Sequence, residues 1–193
     1  MAYQIDTSDM AYQIDTSEKI KVSSLTFEVI RLPQHQERFE EIQPILTEIS
    51  FEAAPSLFRK DTLYYPMEYI FEDLQEVVII IGYHNSKPIV YISLVDKDEV
   101  EKASSTQKTW GIRRGGLNTS QTAWYLADIN GLHKEYYNMG KLIMNFFKEN
   151  ILYEKDYALS TSHLDPFFGW EQIGLFKKWQ GEQYYNYRIM TDE

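Results

Sequence analysis

The chain predicts a single mixed α/β domain, an α+β fold built on one mixed sheet. Three observations carry that prediction. Residues 77–95 read as two strands joined by a short polar turn, rich in β-branched and aromatic side chains. Residues 122–149 (TAWYLADINGLHKEYYNMGKLIMNFFKE) read as a strand, a polar turn and an amphipathic helix. Composition supplies a core: the 193 residues are 44% apolar, an ordinary value for one globular domain, and 15% aromatic, a high one.

Charge and composition also exclude. The formal net charge is −10. A broad nucleic-acid interface needs a basic face, so no nucleic-acid partner is expected, whereas a cationic ligand is compatible. Cysteine is absent. That rules out disulfides, thiolate metal sites and a cysteine nucleophile. His35, His84, His133 and His163 are widely separated and show no metal-ligand spacing, so no metal is expected. No apolar run reaches the roughly 18 residues of a membrane span, and no signal peptide is visible. The expectation is a soluble, cytoplasmic protein.

The elements follow in order. Met1 to Ser8 recurs as Met10 to Ser17, a duplicated start. Residues 1–20 are therefore set aside as a flexible leader, and 21–193 as the domain. Leu25 to Leu32 alternates as a first strand, ended by Pro33. Gln36 to Phe51 carries Phe39, Ile42, Leu46 and Ile49 at helical spacing, with Pro44 expected to kink or divide the helix. Met67 to Leu74 offers a short second helix. Val77 to Tyr83 and Pro88 to Val95 are the clearest strands, with His84-Asn85-Ser86-Lys87 as a hairpin turn. The first is apolar almost throughout, so it is expected to be central and buried on both faces. Asp96 to Gln121 reads as a long loop with a short strand at Thr109 to Ile112. Lys102, Lys108, Arg113 and Arg114 form a basic cluster there.

Ala123 to Ile129 is the next strand, and Asn130-Gly131 signals a turn or bulge in or after it. The helix begins near Asn138 to Gly140, with Met139, Leu142, Ile143, Phe146 and Phe147 on one stripe. A strand feeding a helix leaves backbone N–H groups and a positive dipole end at the junction, a generic anion site. Asp156 to Ser162 is a further strand. Phe167 to Ile173 is expected as a short helix capped by Gly174. Phe176 to Trp179 and Tyr184 to Met190 close the chain as a strand pair. The order is β-α-α-β-β-β-α-β-α-β-β.

Two stretches within that order resemble the GNAT superfamily, the acyl-CoA-dependent N-acyltransferases. His163 to Leu175, HLDPFFGWEQIGL, is similar without a gap to the family's N-x-x-A-x-x-F-Y-E-K-x-G-F. His163 falls on the Asn, Trp170 on the Tyr, Glu171 on the Glu and Gly174-Leu175 on the Gly-Phe. The KKWQGEQYYNYRI that follows is like the family's closing hairpin. Leu132 to Gly140, LHKEYYNMG, resembles V-x-P-x-x-R-G-x-G-x-G/A in length and placement, but only Gly140 remains of its glycines. Tyr137 or Glu135 takes the Arg/Gln place, according to register.

The resemblance implies an acyl-CoA N-acyltransferase using acetyl-CoA or another acyl-CoA. The acceptor would be a small-molecule or peptide amine, and a homodimer is allowed. The loop N–H groups of Tyr137, Asn138, Met139, Gly140 and Lys141 would hold the pyrophosphate. A backbone N–H among Ile129, Gly131 and Leu132 would face the thioester oxygen. His163 and Phe167 would line the pantetheine arm. Asp128, the only acidic residue in its strand, would be the base. Trp170 stands at the usual tyrosine acid, and an indole N–H cannot supply a proton near neutral pH. Tyr136, Tyr137 or water could replace it, since a thiolate with a pKa of about 8.5 is a tolerable leaving group. The alternatives are a catalytically weak or inactive binding protein of the same fold, and a longer-chain N-acyltransferase.

Overall fold

The computed structural model of the protein describes residues 18–53, 76–98, 120–179 and 182–191. The elements are β1 (Ile20–Lys21), β2 (Thr26–Leu32), α1 (Gln36–Ala53), β3 (Val77–His84), β4 (Lys87–Asp96), β5 (Ala123–Gly131), β6 (Tyr136–Tyr137), α2 (Met139–Asn150), β7 (Tyr157–Ser162), β8 (Glu171–Trp179) and β9 (Glu182–Met190). A single 3-10 turn, Leu152–Glu154, joins α2 to β7. The predicted helix at Met67 to Leu74, the basic cluster with its short strand and the repeat Met1 to Ser17 lie outside the described residues, whereas Ile20, expected in the leader, belongs to β1.

Seven strands form one sheet in the order β2-β3-β4-β5-β7-β9-β8. Every neighbouring pair is antiparallel except β5 with β7. Parallel neighbours need a crossover, and α2 supplies it. The two helices cover opposite faces. Tyr91 of β4 meets Ser50 of α1. Its neighbour Val90 pairs with Gly131, where an added Cβ would lie 2.7 Å from Cε of Met139 in α2. β3 is buried from Val77 to Gly82, as its continuous apolar run requires of a strand covered on both sides. The two-residue turn after it places Asn85 and Ser86 at φ 49° and 66°. Positive φ at both central positions is what a twisted two-residue hairpin demands.

The helices bury the stripes their spacing sets out. Phe39, Ile42, Leu46 and Ile49 of α1 are buried. On α2, Met139, Ile143, Met144 and Phe147 are buried, with Leu142 and Phe146 half-buried and Phe146 stacked on Phe27 at 4.2 Å. Burying such a side chain fully stabilises by about 1.5–3 kcal/mol. Pro44 neither ends nor divides α1, which runs through it for 18 residues. It sits on the exposed face, where water can satisfy the carbonyl left without a donor.

Two further expectations are corrected. Phe167 to Ile173 is not a helix. Only one turn closes there, Trp170 N–H to Phe167 O at 2.8 Å, and β8 starts at Glu171. Phe168 and Gly169 both take positive φ, 45° and 75°, which a right-handed helix cannot propagate. Gly174 accordingly lies within β8, at a register shift, and caps nothing. The bulge of β5 is not at Gly131. The strand continues to Gly131, and the register slips between Ser93↔Asp128 and Leu94↔Leu126, leaving Ala127 as the extra residue.

Candidate active site

The bulge opens the sheet. β5 pairs with β7 from Ala123 to Leu126 and no further. Beyond Ala127 the two strands part. Leu132 N–H donates to Ile89 O of β4. Backbone groups alternate along a strand, so the Ile129 and Gly131 N–H groups turn to the open side, away from β4. Leu132 itself cannot serve there, since its N–H is spent in the ladder. Of the three residues expected to face a thioester oxygen, two point into the gap.

Asp128 sits at the rim of that gap. Ser93 Oγ donates to its Oδ2 at 3.0 Å. Ser93 and Tyr91 share the α1 face of β4, so Asp128 lies on that face as well. Asp128 is half-buried by surface, yet protein surrounds its carboxyl closely enough that loss of water raises its pKa to about 6, against the lowering effect of Ser93. A carboxyl that titrates near neutrality is suited to taking a proton. Around it lie groups that the sequence reading passed over. Tyr125 donates to Thr161 Oγ1 at 3.5 Å, and Thr161 donates to Asn186 Oδ1 at 3.1 Å. Burial, and then the nearby Asp128 charge, hold the Tyr125 hydroxyl above its usual pKa. Asn130 Nδ2 donates to Tyr91 Oη at 3.0 Å. The signal was present: Ser93 and Asn130 are polar residues inside strands otherwise apolar around them.

The loop before α2 is tied down from an unexpected side. β1 pairs with β6 in parallel, Ile20 opposite Tyr136 and Lys21 opposite Tyr137. Ile20 N–H bonds Glu135 O at 2.8 Å and Val22 N–H bonds Tyr137 O at 3.1 Å. That register commits the Tyr137 N–H to Ile20 O. Asn138, at φ 72°, opens the helix and donates Nδ2 to Val22 O at 3.0 Å. The first bond onto the helix start is Leu142 N–H to Asn138 O at 3.3 Å. Met139, Gly140 and Lys141 therefore present N–H groups with no partner inside the helix. Of the residues expected as pyrophosphate donors, Met139, Gly140 and Lys141 supply the N–H groups at the helix start, and the Tyr137 N–H is taken by the strap.

The remaining predicted residues separate. Trp170 is 4% exposed and packs on Phe167 at 5.2 Å and Phe147 at 6.3 Å. It is a core residue, and its indole N–H has no partner among the described residues. Phe167 is buried in the same cluster, against Tyr187 at 5.4 Å. His163 is exposed and stands edge-on to Tyr184 at 5.3 Å. A Cβ on Gly140 would come within 3.1 Å of Phe168, so that ring already covers the glycine's open side. Gly131 keeps the Met139 thioether close to β5 in the same manner. Among the described residues no cluster of three or more His, Asp or Glu could hold a metal, and no helix is long and apolar enough to cross a membrane.

A mostly antiparallel seven-stranded sheet, parted at a bulge beside its one parallel pair and crossed by a helix at the parting, is the GNAT fold in a divergent version. Solved structures with that fold superpose on most of the chain. A Corynebacterium glutamicum protein, described as histone acetyltransferase HPA2 and related acetyltransferase, matches with a TM-score of 0.55 at 10% identity, over 87% of this chain and 98% of its own. An aminoglycoside 6'-N-acetyltransferase complexed with coenzyme A matches with 0.53 at 8%, over 86% and 98%. An acyl-CoA N-acyltransferase from Pseudomonas aeruginosa matches with 0.50 at 9%, over 86% and 99%. No sequence-family model matches the chain, and no curated protein matches it.

Proposed function

We propose that the protein transfers an acyl group from an acyl-CoA to a primary amine. The observation that carries this reading is the parting of β5 from β7, with Asp128 at the bulge and two N–H groups facing the gap. The likeness to acetyltransferases, one of them holding coenzyme A, supports the same chemistry. A bound acyl-CoA supplies the activated acyl group as a thioester. The N–H groups of Met139, Gly140 and Lys141 at the start of α2 would hold its phosphates. Asp128 takes a proton from the ammonium. The freed nitrogen lone pair bonds to the acyl carbon, the C–S bond breaks, and sulfur leaves as a thiolate. The Ile129 and Gly131 N–H groups stabilise the oxygen that gains charge on the way. Thiolate and amide nitrogen exchange the remaining proton through water, in place of the tyrosine that Trp170 displaces.

A second reading is a binding protein without turnover. The core position of Trp170 and the Phe168 ring over Gly140 favour it. The deciding experiment follows thiol release from acetyl-CoA, and from a longer acyl-CoA, with spermidine, benzylamine, glucosamine and a lysine-containing peptide. Amine-dependent release that falls in Asp128→Asn supports transfer. Saturable acyl-CoA binding with no release from any of them supports the second reading.

A further inference from the structure

Asn130 lies two residues beyond Asp128 on β5, on the same face, and carries an amide whose orientation is forced. Ser50 donates its one proton to Leu46 O at 2.9 Å within α1. In the Ser50–Tyr91 contact the tyrosine must therefore be the donor. Tyr91 has one proton, and it is spent there. Tyr91 can only accept from Asn130, so the amide turns its Nδ2 to Tyr91, at 3.0 Å. The four-membered relay Asn130, Tyr91, Ser50, Leu46 O thus fixes Asn130 Oδ1 pointing the other way.

That oxygen has a position but no occupation. Asn130 is 8% exposed, and its side chain makes no other hydrogen bond among the described residues. The closed-off unpartnered polar atoms there are the indole nitrogens of Trp124 and Trp170 and Nε of Arg188. Asn130 Oδ1 is not one of them, so it keeps contact with solvent on the sheet face it shares with Asp128. A relay that fixes one amide oxygen toward solvent leaves it placed to exchange water for a donor on a ligand.

We propose that Asn130 is a specificity residue for the acceptor amine, an inference that rests on the transfer reading above. Asp128 and Asn130 Oδ1 are both acceptors, so whatever sits between them must bring two donors. Residues two apart on a strand are about 6.6 Å apart at the backbone, and two N–H···O bonds of about 2.9 Å from one tetrahedral ammonium reach acceptors about 4.7 Å apart, a difference the Asp128 side chain can close by leaning toward Asn130. A primary ammonium has three protons, enough for both acceptors. An alcohol has one and leaves a buried acceptor unpaired, which is the kind of mismatch that discriminates strongly. The relay thereby selects primary amines over hydroxyl acceptors of the same shape.

The test uses the full chain, acetyl-CoA, and the best primary amine of the panel above, with Asn130→Leu and Tyr91→Phe compared with the parent. Asn130→Leu is expected to raise KM for the amine about tenfold or more, with kcat and the KM for acetyl-CoA within about threefold. Tyr91→Phe lets the amide rotate and raises the amine KM by a smaller factor. An unchanged amine KM in Asn130→Leu overturns the proposal. So does a rise in both KM values together with a lower unfolding temperature, which marks a packing role. Absence of turnover by the parent with every amine removes the transfer reading itself, a result distinct from either.

Discussion

Asp128 couples activity to stability through one proton. Its carboxyl is held at about 6 in the fold, against an ordinary 3.8, by loss of water. The fold therefore binds that proton more tightly than the unfolded chain does. Its contribution to stability is full below the ordinary value and is lost as pH rises through about 6. Asp128→Asn cannot ionise. It should unfold at a higher temperature than the parent at pH 8 and at nearly the same temperature at pH 4, as read by thermal melts. The same substitution should lower kcat/KM by about 10²–10⁴. In the parent, kcat/KM should rise through pH about 6 as the carboxylate forms. Sequence reading reached Asp128 because it is the only acid in an apolar strand. It did not reach the hydroxyls and amides beside it. Tyr91 meets Asn130, Ser93 meets Asp128 and Ser50 meets Tyr91 only through strand pairing and helix packing, and neither leaves a mark in linear spacing.

The elements divide by how periodic they are. β3, β4 and α2 were legible because eight, ten and twelve residues repeat one pattern. β1 and β6 are two residues each, too short for any period, and their pairing joins positions more than a hundred residues apart. That small strap is nonetheless a structural tie. Val22 is fully buried and its backbone holds both Tyr137 and Asn138. Val22→Ala should destabilise by about 1–3 kcal/mol, measured by urea unfolding, and should weaken acyl-CoA binding along with it. The close approach of α2 to β5 makes a sharper case. Gly131→Ala would set a methyl 2.7 Å from Cε of Met139. It should cost about 1–3 kcal/mol by overpacking. Met139→Ala in the same chain should recover part of that loss, a coupling visible in a double-mutant cycle. The helix expected after β7 failed on local conformation: Phe168 and Gly169 at positive φ leave one turn where the spacing allowed two.

At the scale of the molecule, one sheet does two things with one irregularity. The extra residue Ala127 parts β5 from β7, and it also brings Asp128 to the mouth of the gap it makes. The order of the strands in the main sheet and of the helix that crosses it was readable from hairpin and crossover connections, and from two stretches that resemble acyltransferases, whereas the helix expected after β7 is a single turn. The fine structure of the site was not, because Gly140 and Trp170 carry packing against Phe168 and Phe167 at positions where the resemblance implies chemistry. The account therefore stands on whether the gap and the start of α2 together bind an acyl-CoA. Thermal unfolding of the full chain with increasing acetyl-CoA tests this directly. Free ligand at about 100 times its dissociation constant should stabilise by about 2.7 kcal/mol, with a transition that shifts steadily with concentration. A transition that stays in place with acetyl-CoA, coenzyme A and a long-chain acyl-CoA alike would contradict it.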